Sequence, residues 1–391
     1  MAPDFVRETV RGMDGYTPGE QPGESDRVVK LNTNENPFPP SPRVMAAIRD
    51  VEAESLRRYP NPTGDLFRAA AAKLHGVTPD MILCGNGSDD ILTIATRTFI
   101  PPGGAIAHPD PTYSLYPVLA QLQEARTVAV PWADGYALPI EALLATGANA
   151  IYLANPNAPT GTFVPPAKVA ELASAFPGAV LVDEAYVDFA DGHCMGLIAQ
   201  HPNVMVSRSL SKSYALAGLR FGYAAAQPAV IAELMKVKDS YNADAIAIAA
   251  ATAAIEDQDY ARDKWRYVRE ERARVTAQLE ALGWRVLPSQ ANFVLATAPD
   301  GRGREAYLGL KRQGILIRHF DKPGLADKIR ITIGQAHENN ALLAGLRVLA
   351  SAADRAAGAA EAARGRRREE DAAPAVPAMA AAHAHAPAVA G

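Results

Sequence analysis

The sequence predicts an α/β fold built on a mainly parallel sheet with helices on both faces. Short, continuous apolar runs lie at Met81–Leu83, Ala105–Ala107, Val128–Val130, Ala150–Ala154, Val180–Val182 and Val204–Val206, separated by helical or turn-rich segments. Runs of that length, alternating with helices, are the pattern of strands buried on both faces. Polar motifs fall just past the C-terminal ends of these runs, where open α/β sheets bind ligands. The chain has 391 residues, 48% of them hydrophobic, which is ample for a large core and for more than one domain.

Residues 1–40 read as an extended arm, because Pro18, Pro22, Pro37, Pro39 and Pro40 forbid long helices. Within it Val28–Leu31 reads as a short strand. Helical apolar spacing follows over 42–57, with Ser41 as N-cap and Pro42 in the first turn. The α/β alternation then runs from Met81. Residues 229–256 begin with a long helix, and Asp259–Leu282 is a charged helix ending at Gly283. Strands at Arg285–Leu287, Phe293–Leu295, Ile315–Arg318 and Lys328–Ile333 suggest a smaller α+β domain. In the last of these, Ile329, Ile331 and Ile333 alternate with Arg330 and Thr332, so one face is buried and an arginine sits on the other. The expected division is an arm at 1–40, a large domain at 41–255 (part of 41–60 also joining the small one), a small domain at 256–352 and a tail at 353–391. The tail is Ala/Pro/Arg-rich, and its composition predicts disorder.

Composition narrows the function. A net charge of −4 argues against a global affinity for nucleic acid or membrane. Cys84 and Cys194 are the only cysteines, too few for a disulfide framework or a cysteine-based metal site. No apolar run is long enough to span a bilayer, and the N-terminus lacks the apolar segment of a signal peptide. A soluble cytoplasmic protein without a metal is expected.

Five features carry chemistry. In SLSKSYALAGLR, Lys212 sits between two serines and apolar neighbours. Partial burial would lower its pKa and free an amine for a Schiff base; a plain loop lysine is the other reading. GNGSDD (85–90) opens a helix, so its amides can hold a phosphate, or it is simply a tight turn. Tyr113 in PTYSLY can stack on a flat ligand or fill the core. NPNAPTG (155–161) offers asparagine donors or turn chemistry. Asp183 comes straight off a buried strand, where a carboxylate is costly without a cationic partner. A phosphate cradle, an aromatic platform, hydrogen-bond donors, a buried carboxylate and an amine together describe pyridoxal 5'-phosphate.

These motifs resemble those of the fold-type I pyridoxal-phosphate-dependent aminotransferases, and within them the histidinol-phosphate aminotransferases. The resemblance runs from about Gly15 to Leu349 through GYTPGE, LNTNENPFPPSP, RYPNPTGDLF, GNGSDD, PTYSLYP, NPNAPTG, VDEAYVDF, SLSKSYALAGLRFGY, ANFVL, GILIRHF and IRITIG. It implies a large domain with a seven-stranded-type, mainly parallel sheet, a small α+β domain and an N-terminal arm. It implies that Lys212 holds the cofactor as a Schiff base and then moves the proton between substrate and cofactor. Asp183 would pair with the ring nitrogen, Tyr186 and Asn157 with the phenolic oxygen, and Tyr113 would stack on the ring. Ser88, Asp89, Ser209, Ser211 and Arg220 would hold the phosphate, joined by Tyr59 from a second subunit of a homodimer with shared sites. Arg330 and Arg318 would bind the substrate's anionic groups, and Tyr16 would close over it; ion-pair roles for both arginines stay open. The implied substrates are histidinol phosphate and glutamate/2-oxoglutarate, in a ping-pong reaction of histidine biosynthesis. Aromatic amino-acid aminotransferases and decarboxylases of O-phosphothreonine type share much of the pattern.

Overall fold

The computed structural model describes residues 4–23, 27–352 and 364. Apart from Arg364, the tail expected at 353–391 lies outside the described residues. Residues up to Gly345 form one compact unit; of the second, 346–391, the described residues 346–352 and 364 are helical.

The arm contributes one strand, β1 (Val29–Lys30). Seven strands then build the main sheet: β2 (Ile82–Gly85), β3 (Ala105–Asp110), β4 (Arg126–Pro131), β5 (Ala150–Ala154), β6 (Ala179–Asp183), β7 (Val204–Ser209) and β8 (Gly222–Ala225). Their order is β2-β8-β7-β6-β5-β3-β4, and β8 alone runs antiparallel to its two neighbours. The six expected runs are all strands. β8 was not expected: GYAA lacks the β-branched residues that mark a strand. All four of its residues are nonetheless buried between β2 and β7, and Gly222 lets the strand start against the Ser88 turn.

Helices cover the sheet with apolar faces. The helix Ser88–Phe99 packs Ile91, Leu92, Ile94 and Ala95 with Leu83, Ile106, Leu181 and Met205 of the strands. Each fully buried Leu or Ile contributes roughly 1.5–3 kcal/mol. The helix expected over 42–57 divides into Pro42–Arg49 and Ala53–Leu56, with a cap at Asp50 between them. The long helix Gln258–Ala281 leads into a second, four-stranded sheet.

That sheet comprises β9 (Arg285–Val286), β10 (Phe293–Thr297), β12 (Arg318–His319) and β13 (Lys328–Thr332), in the order β12-β13-β10-β9. The strand expected at 315–318 is two short ones. β11 (Ile315–Leu316) pairs in parallel with β1, and the chain then turns at Ile317 to pair β12 with β13. The arm is thus tied into the fold by a sheet of its own. Among the described residues, no helix is long and apolar enough to cross a membrane.

Candidate active site

Alternation along a strand sends neighbouring side chains to opposite faces. At the end of β6 this separates two acids. Glu184 turns away and is neutralised by Arg208 at 2.8 Å, both side chains buried. Asp183 turns toward a cavity of about 570 Å³ and meets no cation there. One of its oxygens accepts from the Tyr116 hydroxyl at 3.0 Å, the other from Ser207 at 3.1 Å. Burial pushes its pKa up to about 6, and these two donors pull the other way. A buried carboxylate left half above its normal range is poised for a cationic ligand.

Lys212 stands at the end of β7, in the short helix Leu210–Ser213 that Ser209 caps through the amide of Ser211. Its Nζ donates to the carbonyl oxygen of Thr33 in the arm at 2.9 Å. Burial lowers its pKa to about 8; Arg330 and Arg220 push the same way, and Glu35 and Asp89 oppose. The amine is therefore available uncharged from about pH 8, well below the ordinary lysine range.

The phosphate end is assembled where β2 hands over to the helix Ser88–Phe99. Its N-terminal amides face the cavity after Gly87, whose φ of 84° suits glycine. β8 must approach this turn closely: a Cβ on Gly222 would lie 2.5 Å from the Ser88 amide nitrogen. Arg220 donates to Ser211 Oγ at 3.3 Å and pairs with Asp89 at 3.4 Å. Tyr113 is fixed by a hydrogen bond to Asp89 at 3.2 Å and by edge contacts to Tyr116 and Tyr16, at 5.7 and 5.9 Å between ring centroids.

At the opposite end Arg330 lies between the rings of Phe293 and Phe320, 5.2 and 5.5 Å away. One nitrogen donates to the Asn32 carbonyl at 2.9 Å, while its buried Nε has no hydrogen-bond partner among the described residues. Arg318 also lies against Phe320 and donates to the carbonyls of Thr17 and Pro18 at 3.4 and 3.3 Å, holding the arm over the cavity. The cavity walls carry Lys212, Arg220, Arg318, Lys322 and Arg330 against Asp89, Asp110 and Asp183. The excess of cations suits an anionic ligand.

All the site residues expected from the sequence line this cavity except Tyr59 and Asn157. Tyr59 is 79% exposed and stacks on Tyr241 at 4.3 Å, outside it. Asn157 is fully buried and braces the loop instead. Its amide donates to Pro111 O and Thr160 Oγ1 at 3.0 and 2.8 Å and accepts from Thr112 at 2.8 Å. Both hydrogens of its side-chain amide are engaged in this way and Asn157 does not line the cavity, so the expected bond to the ring is not set up in this arrangement. Conversely, Tyr116, Ser207, Thr33 and Asn34 touch the central groups and were not singled out. Tyr116, Thr33 and Asn34 lie inside motifs that were; Ser207 depends on its register opposite Asp183, which no local signal gives.

A family model described as aminotransferase class I and II matches residues 26–346. Histidinol-phosphate aminotransferase 1 of Trichormus variabilis is 44% identical over 346 residues, 88% of this chain and 99% of that protein. Histidinol-phosphate aminotransferase of Citrifermentans bemidjiense is 44% identical over 344 residues, 88% and 98% of the two chains. The crystal structure of histidinol-phosphate aminotransferase from Sinorhizobium meliloti, in complex with pyridoxal-5'-phosphate, is similar with a TM-score of 0.81 and 28% identity, covering 89% of this chain and 99% of that one. A fold with its acid and amine at adjacent strand ends, matched by relatives over nearly their whole length, leaves one conclusion: the chain belongs to the class I and II aminotransferases and, within them, to the histidinol-phosphate aminotransferases.

Proposed function

We propose that this protein binds pyridoxal 5'-phosphate at Lys212 and transfers the amino group of L-histidinol phosphate to 2-oxoglutarate, giving 3-(imidazol-4-yl)-2-oxopropyl phosphate and L-glutamate. The observation that carries this reading is the joint placement of Lys212, Asp183 and the Ser88–Arg220 phosphate cradle on one cavity whose far end holds Arg330 and Arg318. The residues fit the cofactor. Ser88 and Asp89 bring the helix N-terminus to the cavity, Tyr113 offers a ring face, and Asp183 lacks the cation that a protonated ring nitrogen would supply. When bound, the cofactor supplies an electron sink for breaking the bond from Cα to hydrogen.

The chain's own residues supply the rest. Asp183, held by Tyr116 and Ser207, keeps the ring nitrogen protonated. Lys212, uncharged above about pH 8, would take the Cα proton and return it to the carbon on the far side of the amino nitrogen. Arg330 faces the anion that each substrate presents: a phosphate in one half-reaction, a carboxylate in the other. A guanidinium fork binds either, and its unpartnered Nε supports that role. Tyr16, 44% exposed and set against Tyr113, closes the cavity from the arm.

The same reading places the site in a homodimer. Tyr59 stands outside its own cavity, near the exposed apolar residues Leu56 and Leu66 in sequence, which suits a surface that a second copy covers. In this arrangement Tyr59 reaches the phosphate of the other copy's site.

The test is a comparison of kcat/KM for histidinol phosphate, phenylalanine and O-phosphothreonine, with glutamate and carbon dioxide as readouts. Histidinol phosphate is expected to dominate, with glutamate formed. A larger value for phenylalanine, or carbon dioxide released from phosphothreonine, would replace the proposed substrate.

A further inference from the structure

Asn34 has no part in the reading above, yet it is bound on every side. It is 1% exposed and has a φ of 58°, a backbone conformation that asparagine tolerates better than most residues. Its N–H donates to Thr332 Oγ1 at 3.0 Å, its carbonyl accepts from the Asn292 amide at 2.9 Å, and its Oδ1 accepts from Thr332 Oγ1 at 3.1 Å. The remaining group, Nδ2, donates to the Tyr186 hydroxyl at 3.1 Å.

This pattern fixes the direction of every hydrogen. The Thr332 hydroxyl accepts from the Asn34 N–H and makes no other hydrogen bond among the described residues than the one to Oδ1. Turning the amide over would leave its hydrogen without an acceptor. With Oδ1 committed to Thr332, Nδ2 must face Tyr186, so the Tyr186 oxygen accepts there. The other polar groups acting on Tyr186 are the Arg330 guanidinium, which has donors and no acceptor, and Asp183 and Tyr16, whose oxygens accept no hydrogen bond from the Tyr186 hydroxyl. Among the described residues the hydroxyl hydrogen therefore has no acceptor and is left to point into the cavity that Tyr186 lines.

We propose that Asn34 is a positioning residue: by donating to the Tyr186 hydroxyl from a site locked to β13, it commits that hydroxyl to donate to the ligand. The inference rests on the cofactor reading, in which the acceptor is the ring's phenolic oxygen. It also gives the arm a task in the chemistry, since Asn34 carries the restraint from Thr332 and Asn292 across to the main sheet.

The experiment compares Asn34→Asp with Asn34→Gly, each with Tyr186 and with Tyr186→Phe. Glycine keeps the φ of 58° and removes the donor. Aspartate keeps the shape and the contact to Thr332 but can only accept, so it draws the Tyr186 hydrogen out of the cavity. The readouts are kcat, the dissociation constant of pyridoxal 5'-phosphate, and the position of the bound cofactor's visible absorbance. Asn34→Asp is expected to lose roughly 10- to 100-fold in kcat, the scale of a hydrogen bond to a charged group. It should lose more than Asn34→Gly and shift the absorbance in the same direction as Tyr186→Phe. In the Tyr186→Phe background, Asn34→Asp should no longer be worse than Asn34→Gly.

A purely structural role predicts the opposite order, because aspartate preserves more of the packing than glycine does. That order, or an unchanged absorbance in Asn34→Asp, would overturn the inference while wild type still binds the cofactor. Wild type that takes up no cofactor would remove the reading of the cavity itself, and this inference with it.

Discussion

The two ends of the cavity are built differently. The end at Asp183 and Lys212 rises from β6 and β7, central strands of the main sheet: Ser207 on the adjacent strand holds Asp183 and Ser209 caps the Ser211 amide, while Tyr116 adds a bond to Asp183 from a helix and Thr33, accepting from Lys212, is the one tie to the arm among these bonds. The end at Arg318 and Arg330 is assembled from β12, β13 and the arm, and its guanidinium groups are held by main-chain carbonyls at Thr17, Pro18 and Asn32, some three hundred residues away in sequence. The first end is stiff, and its groups sit at shifted pKa values before any ligand arrives. The second depends on the arm staying in place. Such a contrast suits an enzyme that must keep one set of chemistry while admitting two different anions.

If the stiff end holds the chemistry, its variants should lose turnover and those at the other end should lose affinity. Lys212→Ala has the largest expected effect. Turnover should fall on the order of 10⁴-fold, with no cofactor absorbance retained after gel filtration. In wild type, the rate of cofactor capture by the stripped protein should rise as pH passes about 8, since the lowered pKa leaves Lys212 protonated below that point and neutral above it. A rate that climbs only near the ordinary lysine range would show that the amine is not perturbed.

Asp183→Asn should cost about 10²-fold or more in kcat while making the cofactor-free protein more stable. The sign follows from the raised pKa. Between the ordinary carboxyl value of 3.8 and about 6, the folded state holds a proton that the unfolded state has released; above 6 it carries a buried charge at a cost. The gain in Tm should therefore be absent below about pH 4, grow between about 4 and 6, and stay at its full value above 6, as thermal unfolding across pH would report.

At the other end, Arg330→Lys should raise KM for both substrates by the equivalent of about 2 kcal/mol or more, because the enclosed fork is lost. Arg318→Ala should be milder, about 1 kcal/mol, as its bonds to the arm are longer and more exposed. If both arginine variants lost kcat rather than affinity, the division of labour would be wrong. The smallest effect is expected at Tyr59→Phe: a few-fold weaker cofactor binding, with mixed dimers of Tyr59→Phe and Lys212→Ala chains showing whether the two residues serve one site from different copies.

The same contrast explains what could be read from the sequence. Asp183, Lys212 and the GNGSDD turn were legible because each sits at the end of a short apolar run, and strand ends are where ligands gather. β8 was not legible, since Gly222 serves close approach to Ser88 and Ala224 and Ala225 carry little strand propensity. Asn157 was assigned to the ligand because its motif places it near; only the structure gives its partners, Thr112, Pro111 and Thr160. Asn34 and Ser207 act through pairings across hundreds or tens of residues, with Thr332 and with Asp183, and register of that kind has no local signature.

One measurement bears most directly on the account: the visible absorbance of the loaded protein through a single half-reaction. Histidinol phosphate added alone should bleach the band in proportion to active sites, and 2-oxoglutarate added afterwards should restore it, with one glutamate formed per site. A band that histidinol phosphate leaves unchanged, or a bleached band that 2-oxoglutarate cannot restore, would contradict it.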